Sequence, residues 1–112
     1  MIVLQKIVGS KIMLTRGDTL KAVVNMVKPD GDYYEPHEGD SIRFAMKKSF
    51  SDESVLLEKE IPNDSRMLWL KPEDTKEFPF GSYVYDIQIT YANGDIDTFI
   101  DKGTIELTEE VC

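Results

Sequence analysis

Side-chain catalysis needs a nucleophile or an acid–base pair held in a pocket, and this sequence offers a single imidazole, His37, between Pro36 and Glu38. No serine or cysteine motif accompanies it, so His37 reads as a surface histidine in a turn-rich loop, and no residue is assigned a catalytic role. Cys112 is the sole cysteine and closes the sequence, which leaves no intrachain disulfide; with His37 it falls short of the ~4 ligands of a zinc site. Carboxylates are plentiful: Asp30, Asp32, Glu35, Glu38 and Asp40 crowd one segment, and Asp95, Asp97 and Asp101 another. Such clusters can hold calcium, but the helix-flanked loop pattern with its closing glutamate is missing, so solvated acidic loops without metal or cofactor are expected. Arg16-Gly17-Asp18 has the composition of an integrin-type adhesion tripeptide, yet between two strands it reads as a turn in which glycine supplies the bend. Tyr33, Tyr34, Trp69, Phe78 and Phe80 have flat faces that could stack on a sugar. Phe78, Phe80 and Trp69 are expected in the core or at its rim, whereas Tyr33 and Tyr34 remain candidates for contact with a partner.

The elements that would carry these residues follow a period of two. From Ser82 to Tyr91 the positions Tyr83, Tyr85, Ile87, Ile89 and Tyr91 alternate with Ser82, Val84, Asp86, Gln88 and Thr90, the pattern of a strand with one buried face. Ile42, Phe44 and Met46 form a second such series, and Leu20, Ala22, Val24 and Met26 a third. Lys11 to Thr15, Val55 to Ile61 and Met67 to Leu70 are weaker strand candidates, and Gly-, Asn- and Pro-containing turns separate them all. Asn93-Gly94 suits a two-residue hairpin loop, which pairs Tyr91 with Ile96, Ile89 with Thr98 and Ile87 with Ile100. Ile96, Thr98 and Ile100 then face inward, and Phe99 lies on the outer face with Val84, where the two would start an apolar patch for a partner. Past Gly103 the apolar parity switches to Ile105 and Leu107, which a β-bulge at Asp101 to Gly103 would produce, with a second tight turn as the rival reading. Only Lys71 to Glu77, with Pro72 near its start and acids after it, favours a short helical turn. Six to eight strands with almost no helix spell an all-β sandwich or small barrel.

Composition sets the outer bounds. A chain of 112 residues, 41% hydrophobic and 30% charged, sustains one hydrophobic core, so a single domain spans 1–112. No apolar run approaches the ~18 residues of a membrane span, and Ile2, Val3 and Leu4 are too short a block for a signal peptide, so synthesis in a cytoplasm without secretion is expected. With a formal charge of −8 the protein repels phosphate backbones and anionic lipid, so neither nucleic acid nor membrane is an expected partner.

Thr75 to Asp86 reads T-K-E-F-P-F-G-S-Y-V-Y-D, in which Gly81 and Tyr83 match the start of strand F of immunoglobulin-like domains, where a tyrosine hydroxyl bonds back to nearby main chain. Tyr85 takes the place where antibody domains carry a cysteine. Across the chain, I-M-L-T-R-G-D-T at Ile12 to Thr19, S-I-R-F-A-M-K at Ser41 to Lys47, L-W-L-K-P-E-D-T at Leu68 to Thr75, G-S-Y-V-Y-D-I-Q-I at Gly81 to Ile89 and D-K-G-T-I-E-L-T at Asp101 to Thr108 occur in an order that resembles the Ig-like amino-terminal module of phage baseplate upper proteins. The resemblance implies an immunoglobulin-like antiparallel β-sandwich of about seven strands. It further implies a non-enzymatic structural or attachment module of a phage or prophage virion, near the tail or baseplate, located in the particle and bound to other virion proteins. A homo-oligomer is expected, with Phe99, Val84, Tyr33 and Tyr34 as contact residues. Two alternatives stand beside it: a free β-sandwich binding sugar or calcium through the loop from Asp30 to Asp40, and an acidic inhibitor encoded by a mobile element.

Overall fold

The computed structural model describes residues 4–5, 7–9 and 11–109, so Cys112 and most of the Met1–Lys6 stretch lie outside the described residues. Among the described residues, alternating sequence builds eight strands and one helical turn: β1 (Ile7–Val8), β2 (Lys11–Thr15), β3 (Leu20–Val23), β4 (Ser41–Lys47), β5 (Leu57–Ile61), β6 (Met67–Leu70), α1 (Pro72–Thr75), β7 (Gly81–Thr90) and β8 (Ile96–Thr108). One sheet runs β1-β8-β7-β4-β5 with β2 also on β8, and the second sheet is β3 and β6 alone. β7 pairs antiparallel with both β4 and β8, while β1 and β2 join β8 in parallel. This is the expected immunoglobulin-like β-sandwich, with a second layer reduced to two strands.

The core lies between the layers. Tyr83, Tyr85, Ile87 and Ile89 of β7 and Ile42, Phe44 and Met46 of β4 face Leu68 and Leu70 of β6 and the chain following β3, where Val24 and Met26 are buried. Each such side chain contributes roughly 1.5 to 3 kcal/mol by leaving water. Tyr83 closes the corner before β7: its hydroxyl donates to the Pro79 carbonyl at 2.6 Å, and its ring packs 6.1 Å from that of Phe78. The helical turn is held at its start by Asp74, whose Oδ2 accepts the Lys71 N–H at 2.7 Å.

The last hairpin departs from the sequence expectation. Asn93 does not adopt positive φ, while Gly94 does at 97°. The Gly94 N–H donates to the Tyr91 carbonyl at 2.8 Å and the Tyr91 N–H to the Asp95 carbonyl at 2.7 Å, so the loop is Ala92-Asn93-Gly94, a turn closed by a left-handed glycine. The extra loop residue slips the register by one, pairing Thr90 with Ile96, Ile89 with Asp97 and Gln88 with Thr98. A one-residue slip exchanges the faces. Asp97 and Phe99 therefore point inward, Phe99 with 0% exposure, and Ile96 is left 65% exposed. A shift between Ile87 and Gln88 then restores the expected Ile87–Ile100 pair, and a second between Tyr85 and Ile87 is the bulge anticipated at Asp101 to Gly103. The left-handed residue in that bulge is Lys102, at φ 58°. Gly103 serves another purpose, because a Cβ there would sit 2.3 Å from carbons of the Tyr85 ring.

Candidate interaction site

The four residues singled out for contact do not share a surface. Phe99 is fully buried, and Val84, half-buried on the outer face of β7, borders a shallow depression with Ala45, Lys47, Phe50 and Asp86. The hairpin register is the reason: with Phe99 turned inward, no Phe99–Val84 patch exists. Tyr33 and Tyr34 are separated by the same alternation. Tyr33 is 62% exposed and bridges to Val27, whereas Tyr34 is buried.

Tyr34 belongs to a polar latch. Its hydroxyl donates to Asp40 Oδ2 at 2.6 Å, the His37 N–H donates to the same oxygen at 2.8 Å, and the Ala92 N–H donates to Oδ1 at 3.0 Å. The Tyr34 ring meets those of His37 and Tyr91 edge-on at 5.4 and 5.9 Å. Burial alone would raise the Asp40 carboxyl, but the Tyr34 hydroxyl, the two amides and the nearby His37 together hold it below the ordinary carboxylate value. Burial and the Asp40 carboxylate push the Tyr34 phenol up. The acidic loop thus spends Asp40 on its own closure. Asp30 is likewise engaged, its Oδ1 accepting the Asp32 N–H at 2.9 Å, and in the other acidic segment Asp97 accepts the Leu4 N–H at 2.8 Å. Among the described residues no three His, Cys, Asp or Glu side chains converge as a metal-holding group.

Arg16-Gly17-Asp18 is a turn, with the Asp18 N–H donating to the Thr15 carbonyl at 3.0 Å and Gly17 at φ 87°. Arg16 is drawn inward against the corner before β7, donating from Nη1 to the Phe78 carbonyl at 3.2 Å with its guanidinium 4.1 Å over the Phe80 ring. Phe78 packs on the core, as expected, whereas Phe80 is 43% exposed beneath that guanidinium.

Nor does Trp69 pack into the core. On β6 the neighbours Leu68 and Leu70 take the inward positions, so Trp69 must face out, and it is 46% exposed. The alternation Leu68-Trp69-Leu70 was the signal that could have placed it. Lys21 stands opposite it on β3, and the ammoniums of Lys21 and Lys71 lie 4.7 and 4.8 Å from the indole. The next pair on the same face is Val23 and Met67, with Val23 55% exposed.

The ladder beneath this face is fixed by the Val24 N–H, which donates to the Arg66 carbonyl at 2.7 Å. Hydrogen-bonded pairs alternate in an antiparallel ladder, so Ala22–Leu68 and Leu20–Leu70 are bonded inward. The main-chain groups of Lys21 and Val23 on β3, and of Met67 and Trp69 on β6, point to the two open edges. A groove of about 220 Å³ borders the β6 edge, lined by Lys59, Glu60, Pro62, Ser65, Met67 and Trp69, with Lys71 at its end. Beside the β3 edge an apolar groove of about 240 Å³ reaches the core between Ile12, Ala22, Val23, Leu68, Ile87 and Ile100.

No helix among the described residues is long and apolar enough to cross a membrane. No family model matches the chain, and no curated protein matches it. Among solved structures, the crystal structure of CopC from Methylosinus trichosporium OB3b is similar over 100% of both chains, at 16% sequence identity and a TM-score of 0.45.

Proposed function

We propose that this chain is a non-enzymatic structural or attachment module of a phage or prophage virion, working through protein–protein contacts with other virion proteins and with copies of itself. The reading draws its virion context from the ordered sequence motifs. The observation that carries its mechanism is the two-stranded outer layer: neither edge of β3–β6 pairs with a further strand among the described residues, and the outer face presents Trp69 and Val23. Uncovered edges beside an exposed tryptophan are what a partner's backbone and apolar side chains would bury, and aromatic residues lead the energetics of such contacts. The contact surface is accordingly assigned to the β3–β6 layer, with Phe99 removed from it and Val84 left outside it.

Mass spectrometry of particles purified from the phage or induced lysogen that encodes the chain tests this reading. A stoichiometric copy number in the particle is expected. Absence from particles, with the chain found only in the cell extract, refutes it.

A further inference from the structure

Among the grooves and clusters of this molecule, the β6 edge combines three independent features. The first is backbone: the N–H and C=O groups of Met67 and Trp69 point away from β3, and no strand pairs with them among the described residues. The second is space, since the groove of about 220 Å³ runs along that edge and is open to solvent. The third is charge. Acids outnumber bases 21 to 13 in the chain, yet Lys21 and Lys71 both stand at Trp69 with no carboxylate in ion-pair range among the described residues. The third lysine nearby is already matched, Lys59 Nζ lying 2.9 Å from Asp74 Oδ2. Neither forms an ion pair among the described residues, although the Asp74 carboxylate acts electrostatically on Lys71, and both ammoniums can still meet an anionic group arriving beside the ring.

We propose that the groove between β5 and β6 binds an extended acidic segment of a partner protein, added as a strand to the β6 edge. Main-chain hydrogen bonds go to Met67 and Trp69. Apolar side chains of the segment cover the indole, and its carboxylates meet Lys71 and Lys21. Strand addition draws affinity from the backbone and selectivity from alternate side chains, and here the lysine pair selects for acid. Glu60 on the opposite wall repels a carboxylate, which places the acidic end of the segment toward Lys71. This inference rests on the attachment reading and names the chemistry of one partner.

Trp69 is the only tryptophan in the chain, so its fluorescence reports on the site without labelling. The probes are an end-blocked octapeptide alternating valine and glutamate, its valine–lysine counterpart, and the valine–glutamate peptide with all its amides N-methylated. A saturable change in Trp69 emission is expected for the first only, weakened about tenfold in the Lys21→Gln/Lys71→Gln variant and by raised salt. Circular dichroism checks that the variant stays folded. No saturable change with the valine–glutamate peptide to millimolar concentration overturns the proposal. So does equal binding of the lysine peptide, or equal binding of the N-methylated one, which cannot donate along the edge. Particle composition separates the two readings: wild-type chain in virions with no response to the peptide removes this site and keeps the attachment role, whereas a peptide response from a chain absent from virions does the reverse.

Discussion

Asp40→Asn tests whether the acidic loop is a self-closing latch. The carboxylate takes the Tyr34 hydroxyl and the His37 N–H on Oδ2, and the Ala92 N–H on Oδ1. An asparagine keeps the shape but has one oxygen. If that oxygen faces Tyr34 and His37, its NH2 confronts the Ala92 N–H, and the reverse orientation confronts two donors instead. One buried donor left unsatisfied costs about 1 to 3 kcal/mol, and the remaining bonds lose their charge assistance, so about 2 to 4 kcal/mol in total is expected. With a urea slope of about 1 to 2 kcal/mol per molar, the unfolding midpoint falls by about 1 to 4 M. The pH dependence has a definite sign. The folded-state pKa of Asp40 is lowered, so its stabilisation is complete above the unfolded value of about 3.9 and is lost as pH falls through the lower folded value. The gap between wild type and variant should hold from pH 7 to about 5 and close below about 4. Urea titrations monitored by circular dichroism at each pH provide the measurement. A gap under ~0.5 kcal/mol at pH 7, or one that persists undiminished in acid, would show that the Asp40 bonds do not hold the loop.

Three further outcomes follow from the packing. Phe99→Ala should cost about 3 to 5 kcal/mol in denaturant unfolding, because the ring is fully buried; an effect under ~0.5 kcal/mol would restore the outward register. Gly103→Ala should cost about 1 to 3 kcal/mol through collision with Tyr85, and a double-mutant cycle with Tyr85→Leu should recover much of it; strict additivity would refute the contact. Asp86 has a buried Oδ1 with no hydrogen-bond partner, and burial raises its pKa, so its charge costs stability at neutral pH and the cost is relieved as pH falls through the folded value. Asp86→Asn should therefore raise the melting temperature at pH 7 and lose that advantage near pH 4, as differential scanning calorimetry would show.

Local alternation made most of this architecture readable. The inward series Tyr83, Tyr85, Ile87, Ile89 and Ile42, Phe44, Met46 is buried as the period of two requires, and the corner tyrosine bonds the Pro79 carbonyl. The parity switch to Ile105 and Leu107 pointed to a bulge or a second turn, and the continuous pairing of β7 with β8 makes it a bulge, since an inserted residue reverses a strand's faces without ending it. What the sequence concealed was the loop count at Asn93-Gly94. Two-residue and three-residue hairpin loops both accept that pair, and they differ only in whether Asn93 takes positive φ. That choice couples to burial far along β8: the two-residue loop exposes Phe99 and buries Ile96, while the three-residue loop does the opposite and also sends the Asp97 carboxylate inward to the Leu4 amide. A phenylalanine outweighs an isoleucine in buried area, and the amide compensates the acid, so tertiary packing decides a turn that local propensity leaves open.

The same coupling of register to burial governs Trp69 and Phe99. Proximity to Leu68 and Leu70 suggests the core or its rim for Trp69, yet its strand offers only two inward positions, and those leucines fill them. Phe99 was counted outward from an assumed register. Both errors have one origin, because a strand's period assigns residues to two faces and only the pairing partner tells which face is wet. On β6 the partner is β3, whose Lys21 and Val23 occupy the wet side with Trp69 and Met67, and the layer ends there. An outer layer of two strands buries one face and leaves its other face and both edges to whatever binds it. The exposed tryptophan therefore belongs to the edge geometry of β3–β6, and under the proposed function a partner that covered one would meet the other.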